Sequence, residues 1–253
     1  MNTRARAVGI ALCAAILAAL PLAGQQGEGG PTWISFTYVT VKPDMDAEFQ
    51  DILKNHWLPA SKKTDSPFIQ TWRTARFGNP YMYVFVSPIE SFAQFDGEPP
   101  LVKVMSGAAY TGMWTRLQGC IDEVRTVASI AREDAGYDNP GDDPPNLAVV
   151  STVRVKPGMN EEYAALLKEA WLPHVKKLGF RAVWTSQAVF GAPGNEWSQV
   201  LAIEDFAEID KGPPLARAMG AEEARKVEAK FESLIESREM TIAAFLPEFS
   251  YTK

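Results

Sequence analysis

The chain has 253 residues, of which 46% are hydrophobic and 22% are charged, and its formal net charge is -6. This composition is typical of a soluble globular protein and excludes fibrous and disordered classes. Lysine and arginine are scattered along an acidic chain, which excludes the basic surface that nucleic-acid binding requires. We therefore predict no nucleic-acid partner.

The first 24 residues predict a secretory signal peptide. Arg4 and Arg6 form a positive region, and the apolar run behind them ends in small residues. Residues 25–31 then predict a flexible polar spacer, where a permanent anchor would carry a basic flank. We predict cleavage near Gly24, export to the periplasm or the extracellular space, and no membrane association afterwards. An uncleaved N-terminal anchor is the alternative.

Cleavage at this point would leave a single cysteine, Cys120, in the mature protein. An exported chain of this kind would carry no internal disulfide, so its stability must come from packing. Because Cys120 begins an apolar, strand-like run, we interpret it as a small buried hydrophobe rather than a nucleophile.

A long internal repeat organises the rest of the chain. The stretch VKPDMDAEFQDILKNHWLPASKK begins at Val41, and VKPGMNEEYAALLKEAWLPHVKK begins 114 residues later at Val155. The motifs IESFAQFDGEPPL and IEDFAEIDKGPPL, at Ile89 and Ile203, recur at the same offset. This period is too long for a solenoid repeat and matches a small domain, which indicates duplication.

Each copy predicts the order β-α-β-β-α-β. The runs WISFTYVTV and LAVVSTVRV are β-branched and end in Lys-Pro, which favours strands. Apolar residues then recur at helical spacing until Pro59 and Pro173, which we expect to interrupt or kink the helix. A hairpin with a glycine turn and a helix begun by Pro-Pro follow, and final strands are expected near 121–130 and 237–245.

This element order is the ferredoxin-like, split βαβ arrangement. Its sheet has helices on one face, so the opposite face needs a cover, and a second such sheet can supply it. We predict an α+β protein in which two tandem ferredoxin-like repeats, 32–131 and 147–250, form a barrel of antiparallel sheets with helices outside. The segment 132–146 predicts an exposed linker. Pairing within one chain or with a second chain stays open, as a monomeric pseudo-dimer or a homodimer.

The first strand, the VKPGM turn, the helix ending in Trp-Leu-Pro and the FG-x-P hairpin carry a family resemblance. They are similar to the dimeric α+β barrel superfamily, and within it to the NIPSNAP-like and antibiotic-biosynthesis-monooxygenase-like groups. The resemblance covers nearly the whole mature chain. It implies relatives that include cofactor-free monooxygenases, haem-degrading enzymes, chlorite-dismutase-like proteins and small-ligand modules, so the fold implied does not select one activity.

Aromatic side chains on the second and third strands of each copy are the candidate pocket residues. If alternate strand residues face the space between the sheets, several rings would line one cavity suited to a flat organic ligand. The candidates, with their polar neighbours, are Trp72, Arg73, Tyr83, Trp184, Ser186 and Trp197. A plain sheet-to-sheet core without a ligand is the alternative.

The chain has two histidines, His56 and His174, and no motif with metal-ligand spacing, so we predict no metal site. Nucleotide-binding and nucleophile-elbow motifs are also missing from the mature sequence. Haem requires a single axial ligand, and His174 is a possible one if its helix aims it inward. A partly exposed histidine without a ligand role is the alternative.

These observations lead to two functional hypotheses. The first is an exported, NIPSNAP-like binding protein for a small hydrophobic or aromatic ligand or for a protein partner, without a cofactor. The alternative is a cofactor-free or haem-dependent monooxygenase-like oxidoreductase that uses the cavity between the sheets. The residues do not reveal a catalytic constellation, so the sequence leaves enzymatic activity open.

Overall fold

The computed structural model describes residues 30–65, 67–139 and 144–253. The predicted signal peptide, 1–24, and most of the spacer at 25–31 lie outside the described residues, so cleavage and export stay predictions. Within the described ranges, no helix is both long and apolar enough to cross a membrane.

The first repeat has the predicted element order. Its elements are β1 (Trp33–Val41), α1 (Asp46–Ile52), α2 (Leu58–Ser61), β2 (Phe68–Arg76), β3 (Met82–Ile89), α3 (Pro100–Val104), α4 (Gly107–Cys120) and β4 (Ile121–Ala131). Helices α3 and α4 divide the predicted second helix. The break lies at Ser106, whose hydroxyl accepts the backbone N–H of Ala109 and so caps α4.

The second repeat has the same order, preceded by a short strand and followed by another. Its elements are β5 (Tyr137–Asp138), β6 (Leu147–Val155), α5 (Asn160–Leu166), α6 (Leu172–Lys176), β7 (Ala182–Phe190), β8 (Glu196–Ile203), α7 (Ala207–Asp210), α8 (Pro214–Met219), α9 (Ala221–Leu234), β9 (Ile235–Phe245) and β10 (Tyr251–Thr252). The α+β class and the ferredoxin-like order are therefore confirmed in both halves.

The eight long strands form one closed antiparallel barrel. Their order is β2-β3-β1-β4-β7-β8-β6-β9, and β9 pairs back to β2. Two seams, β4–β7 and β2–β9, join the repeats, and both are antiparallel. Because these seams connect halves of the same chain, one molecule completes the barrel alone.

A hydrophobic core lies between the helices and the outer face of the barrel in each repeat. In the first repeat, Phe49 and Ile52 of α1 pack with Val39, Val41 and Tyr83 of the sheet. The second repeat builds the equivalent core around Trp197, with the side chains Val153, Val155, Tyr163, Leu167 and Phe231. The outer strand residues are thus buried by helices, which leaves the inner residues to face each other across the barrel.

The first helix of each repeat is not interrupted at its proline but continues past it through a wider turn. A π-helical turn, Leu53–Trp57, precedes Pro59, and the N–H of Leu58 donates to the carbonyl of Leu53, five residues earlier. The turn Leu167–Trp171 does the same before Pro173. The wider π-turn changes the hydrogen-bond register just ahead of the residue that has no N–H to donate, so the helix accommodates the proline.

The segment between the repeats is not a fully exposed linker. Ala135 is buried, and β5 pairs with β7, with Tyr137 opposite Val183. The Tyr137 hydroxyl donates to the carbonyl of Phe180 at 2.9 Å. Residues 132–139 therefore belong to one end of the barrel wall, and we keep 32–131 and 147–250 as proposed limits of the two repeats.

Candidate functional site

The barrel encloses a cavity of about 1070 Å³, lined by inward-facing residues of all eight long strands. Apolar side chains form its middle, among them Ile34, Phe36, Val84, Val150 and Val200. Polar and charged side chains lie toward both ends. The volume is at the upper end of the range for small-molecule sites, and the mixture of an apolar wall with a few polar groups is typical of them.

Trp72, Trp184 and Ser186 line the cavity, as the pocket hypothesis requires. Trp72 is opposite Val84 of the neighbouring strand, and Trp184 is opposite Val200. Both partners also face the cavity, because residues directly opposite in an antiparallel pair share a face. The structure thus brings these three of the six candidate residues together.

Arg73, Tyr83 and Trp197 lie on the outer face of the barrel, beneath the helices. In the pairing of β2 with β3, Arg73 is opposite Tyr83, and this pair is adjacent to the pair of Trp72 and Val84. Because successive strand residues point to opposite faces, the side chains of Arg73 and Tyr83 point away from the cavity. In the second repeat Trp197 is opposite Gln187 and is fully buried. These residues contribute to the outer cores and do not line the cavity.

The polar atoms of these outer-face side chains form hydrogen bonds with the first residue of the first helix in each repeat. The Tyr83 hydroxyl donates to Asp46 Oδ1 at 2.7 Å, and Arg73 donates to Asp46 Oδ2 at 3.0 Å. Burial and the bond to Asp46 raise the pKa of Tyr83. At the equivalent place in the second repeat, Trp197 Nε1 donates to Asn160 Oδ1 at 2.9 Å. Their roles are structural.

We define the linker end of the cavity by Asp138, Arg181 and Trp184. The sequence analysis did not indicate that a carboxylate lies there. All three residues line the cavity. Trp184 Nε1 donates to Asp138 Oδ2 at 3.2 Å. Burial raises the pKa of Asp138, while the indole hydrogen bond and the Arg181 charge oppose that rise. One signal in the sequence could have indicated that the residues around Tyr137 are structured. Tyr137 and Tyr251 are 114 residues apart, which is the offset of the other repeated positions.

The hairpin end of the cavity, defined by Tyr38, Arg125 and Glu196, holds an ion pair. The Arg125 guanidinium donates to the Glu196 carboxylate, which connects β4 of the first repeat with β8 of the second. The same guanidinium lies 5.8 Å from the centre of the Tyr38 ring. This end therefore combines an aromatic wall with an ion pair, and the carboxylates of Glu123 and Glu239 also line it.

Several solved structures share this architecture, among them the following three. An anthrone oxidase-like protein matches with a TM-score of 0.60 at 10% identity, over 88% of this chain and 94% of that one. A proposed monooxygenase from Fusobacterium nucleatum subsp. nucleatum matches with a TM-score of 0.60 at 11% identity, over 86% and 93% of the two chains. A single-residue variant of the chlorite dismutase from Candidatus Nitrospira defluvii gives 0.57 at 10% identity, over 86% and 92%.

The chain has the fold of the dimeric α+β barrel superfamily. The resemblance read from the repeated motifs is therefore confirmed at the level of fold. No protein-family model matches the sequence, and no curated protein matches it. Identities near 10% show the fold alone, and the NIPSNAP-like placement stays a prediction.

The residues of this α+β barrel do not fit a haem in the cavity with His174 as its axial ligand. His174 lies on α6, outside the barrel wall, and its Nδ1 is enclosed without a hydrogen-bond partner among the described residues. His56 is also on the exterior, beside Arg116.

A metal centre has no visible ligands in the part of the chain that the structure describes. There, no group of three or more histidine, cysteine, aspartate or glutamate side chains could hold an ion. Cys120 is buried at the end of α4, and its thiol contacts the carbonyl of Arg116. Burial raises the pKa of this thiol, which is the environment of an inert, structural cysteine.

We expect Tyr38 to titrate late in this barrel. Enclosure by the cavity wall raises its pKa from 10.0 to about 12, an effect that Arg125 opposes and Glu196 reinforces. In an alkaline titration monitored by phenolate absorbance, wild-type protein should show a component near pH 12 that is missing in Tyr38→Phe. Glu196→Gln should move that component to lower pH, because the carboxylate no longer repels the phenolate.

The same titration makes stability depend on pH. The unfolded phenol ionises near its ordinary pKa, whereas the folded phenol stays neutral until about pH 12. The contribution of Tyr38 to stability is therefore complete below pH 10 and is lost as the pH rises through the folded pKa. Tyr38→Phe should flatten this part of the stability curve in urea unfolding, and an unchanged curve would contradict the assignment.

Proposed function

We propose that this barrel binds a small, flat aromatic molecule in its cavity. The observation that carries the proposal is the cavity itself, with the rings of Phe36, Tyr38, Trp72 and Trp184 in its wall. Aromatic walls favour stacked or edge-on contacts with a planar ligand, and the polar ends can fix its orientation. The outer cores pack separately from the cavity, so ligand entry does not require them to open.

The site of action follows from the N-terminal sequence. A positive region and an apolar run support export, so the ligand would be met in the periplasm or outside the cell. Since one chain closes the barrel, a homodimer or another protein partner would use the outer surface. The exposed aromatic cluster of Trp33, Phe92, Phe95 and Phe190 is the part of that surface that supports such contacts.

A second candidate function is oxygen-dependent oxidation of a bound aromatic substrate without a cofactor. Asp138 favours it, because a carboxylate with a raised pKa inside a cavity can act as a general base. A substrate that has lost a proton to Asp138 is more electron-rich and is oxidised more readily by molecular oxygen. Consumption of oxygen upon addition of 2-naphthol, abolished in Asp138→Asn, would favour this function over binding alone.

Binding itself is tested with 2-naphthol as a neutral planar probe, by calorimetry on the mature protein. Trp72→Ala should weaken binding about tenfold or more, since it removes a ring from the cavity wall. Trp33→Ala is the matched control, because it removes an indole from the outer surface. If 2-naphthol does not bind, or if both variants weaken it equally, the cavity is not the binding site.

A further inference from the structure

The linker end of the cavity contains a carboxylate held in a fixed position. Strand β5 pairs with β7, with Asp138 opposite Ala182, and Trp184 Nε1 donates to Asp138 Oδ2 at 3.2 Å. Both side chains line the cavity. A carboxylate can accept about four hydrogen bonds, so one indole donor leaves acceptor capacity on this group.

The other repeat builds the same backbone without these side chains. There β10 pairs with β2, with Tyr251 opposite Ile69, just as β5 pairs with β7. Thr71 Oγ1 donates to the carbonyl of Phe249 at 2.7 Å, and Thr185 Oγ1 donates to that of Ala135 at 2.8 Å. The strand pairs and hydrogen bonds of the two ends therefore correspond to each other at the offset of 114.

At this offset Asp138 corresponds to Thr252, and Trp184 corresponds to Gln70. Because both seams are antiparallel, the pseudo-twofold axis runs along the barrel, so the two sites lie at the same end of the cavity. The short strand pairs with the barrel in both repeats, and only one repeat carries the carboxylate and the indole. Strand pairing alone thus does not require Asp138 or Trp184.

The charge of the cavity wall limits the ligands that could use this carboxylate. Among the described residues, five carboxylates and three guanidinium groups line the cavity. Three of the carboxylates, Glu123, Glu196 and Glu239, lie at the hairpin end with Arg125, whereas Glu133 and Asp138 lie at the linker end with Arg132 and Arg181. An anionic group in direct contact with Asp138 would be repelled by its carboxylate. Burial also raises the pKa of Asp138, so a donor that approaches its carboxylate relieves part of the cost of keeping a charge away from water.

We propose that Asp138 recognises the ligand, and that its carboxylate accepts a hydrogen bond from an O–H or N–H group of a neutral or cationic aromatic molecule packed against Trp184. This inference rests on the proposed function, because it assigns the ligand class of the same cavity. Asp138 supplies selectivity between ligands of the same shape, since a ligand without the donor leaves the remaining acceptor positions of this half-buried carboxylate unfilled.

The test compares two probes of similar shape, 2-naphthol and 2-methoxynaphthalene, of which the second lacks the donor. Wild-type protein should bind 2-naphthol about tenfold more tightly than 2-methoxynaphthalene, because hydrogen bonds to charged acceptors are the stronger ones. Asp138→Asn should remove this preference, since the Trp184 N–H holds the amide oxygen and the amide NH2 then faces the ligand. Thr252→Val, at the equivalent position of the other repeat, should leave the preference intact.

The outcomes separate this proposal from the function on which it rests. If both probes bind wild-type protein equally well, recognition by Asp138 is wrong and the cavity remains a binding site. If neither probe binds, the proposed function fails, and the ligand class fails with it. If 2-naphthoate binds more tightly than 2-naphthol, the guanidinium groups of the wall recognise the ligand, and the assignment to Asp138 is overturned.

Discussion

Replacement of Gly191 by alanine is expected to destabilise the barrel by about 3 kcal/mol or more. Gly191 has a φ of 79°, a left-handed conformation that costs a residue with a Cβ roughly 1–2 kcal/mol. A Cβ at this position would lie 2.0 Å from the carbonyl oxygen of Thr126 and 3.2 Å from the Cα of Val127. Both atoms belong to the backbone of β4, so no side-chain rotation removes the clash.

The destabilisation by Gly191→Ala should arise at the seam where β4 of the first repeat pairs with β7 of the second. Gly191 follows β7, which pairs with β4 across the seam, and its carbonyl accepts a hydrogen bond from Arg125 at 3.4 Å. An alanine would force the hairpin away from β4 and weaken barrel closure. Urea unfolding of the two proteins measures the loss as a lower midpoint at constant slope.

Gly158→Ala is the matched control for this prediction. Gly158 has a similar φ of 83°, but no heavy atom lies within 4 Å of the position that its Cβ would take. This variant should lose only about 1 kcal/mol, which reflects the backbone conformation alone. Equal losses in the two variants would show that the contact with β4 does not limit the hairpin.

Asp46→Ala is expected to cost about 3 kcal/mol, because it leaves several polar groups without their acceptor. The carboxylate accepts the hydroxyl of Tyr83 at 2.7 Å, the guanidinium of Arg73 at 3.0 Å and the amide of Gln50 at 2.9 Å. Tyr83 is fully buried, so water cannot replace the lost acceptor without opening the core. The charge of Arg73 would also lose its counter-ion.

The second repeat provides the control for this substitution. Asn160 occupies the position equivalent to Asp46, and its amide oxygen accepts one hydrogen bond, from the buried indole of Trp197. The amide NH2 of Asn160 also donates to the carbonyl of Gly194 at 3.3 Å. Asn160→Ala should therefore cost about 1–2 kcal/mol, since only neutral hydrogen bonds are lost. If the two variants lose the same stability in urea unfolding, the charge of Asp46 contributes nothing beyond that of a neutral acceptor.

The sequence determined the number of repeats, their element order and the covering of one sheet by another. These features depend on local patterns: strand runs ended by Lys-Pro, apolar residues at helical spacing, and motifs that recur after 114 residues. Most of the eight long strands lie within a few residues of where these patterns placed them. Periodicity is short-ranged, so it can be read from the chain alone.

The face that each side chain presents was decided by the tertiary structure. A strand alternates its faces, and a shift of one residue in register moves every side chain to the other side. The register places Trp72 opposite Val84 and Arg73 opposite Tyr83, which puts Trp72 inside the barrel and Tyr83 outside. Composition could not reveal this, because both faces of these strands carry aromatic residues.

Trp72 and Trp184 are not equivalent residues of the two repeats, although each lies in the second strand of its repeat, four residues after a phenylalanine. Strand pairing instead makes Ser186 the counterpart of Trp72, and Gln70 that of Trp184. The cavity is therefore asymmetric, with one indole of each repeat at a different depth.

The carboxylate at the linker end could be found only from the folded chain. Asp138 lies in a segment rich in Asp, Gly and Pro, a composition that predicts an exposed linker, and 46 residues separate it from Trp184. Pairing of β5 with β7 brings the two side chains together. Local patterns determined the elements of this protein, whereas contacts between distant segments, which no short-range pattern encodes, decided what faces its cavity.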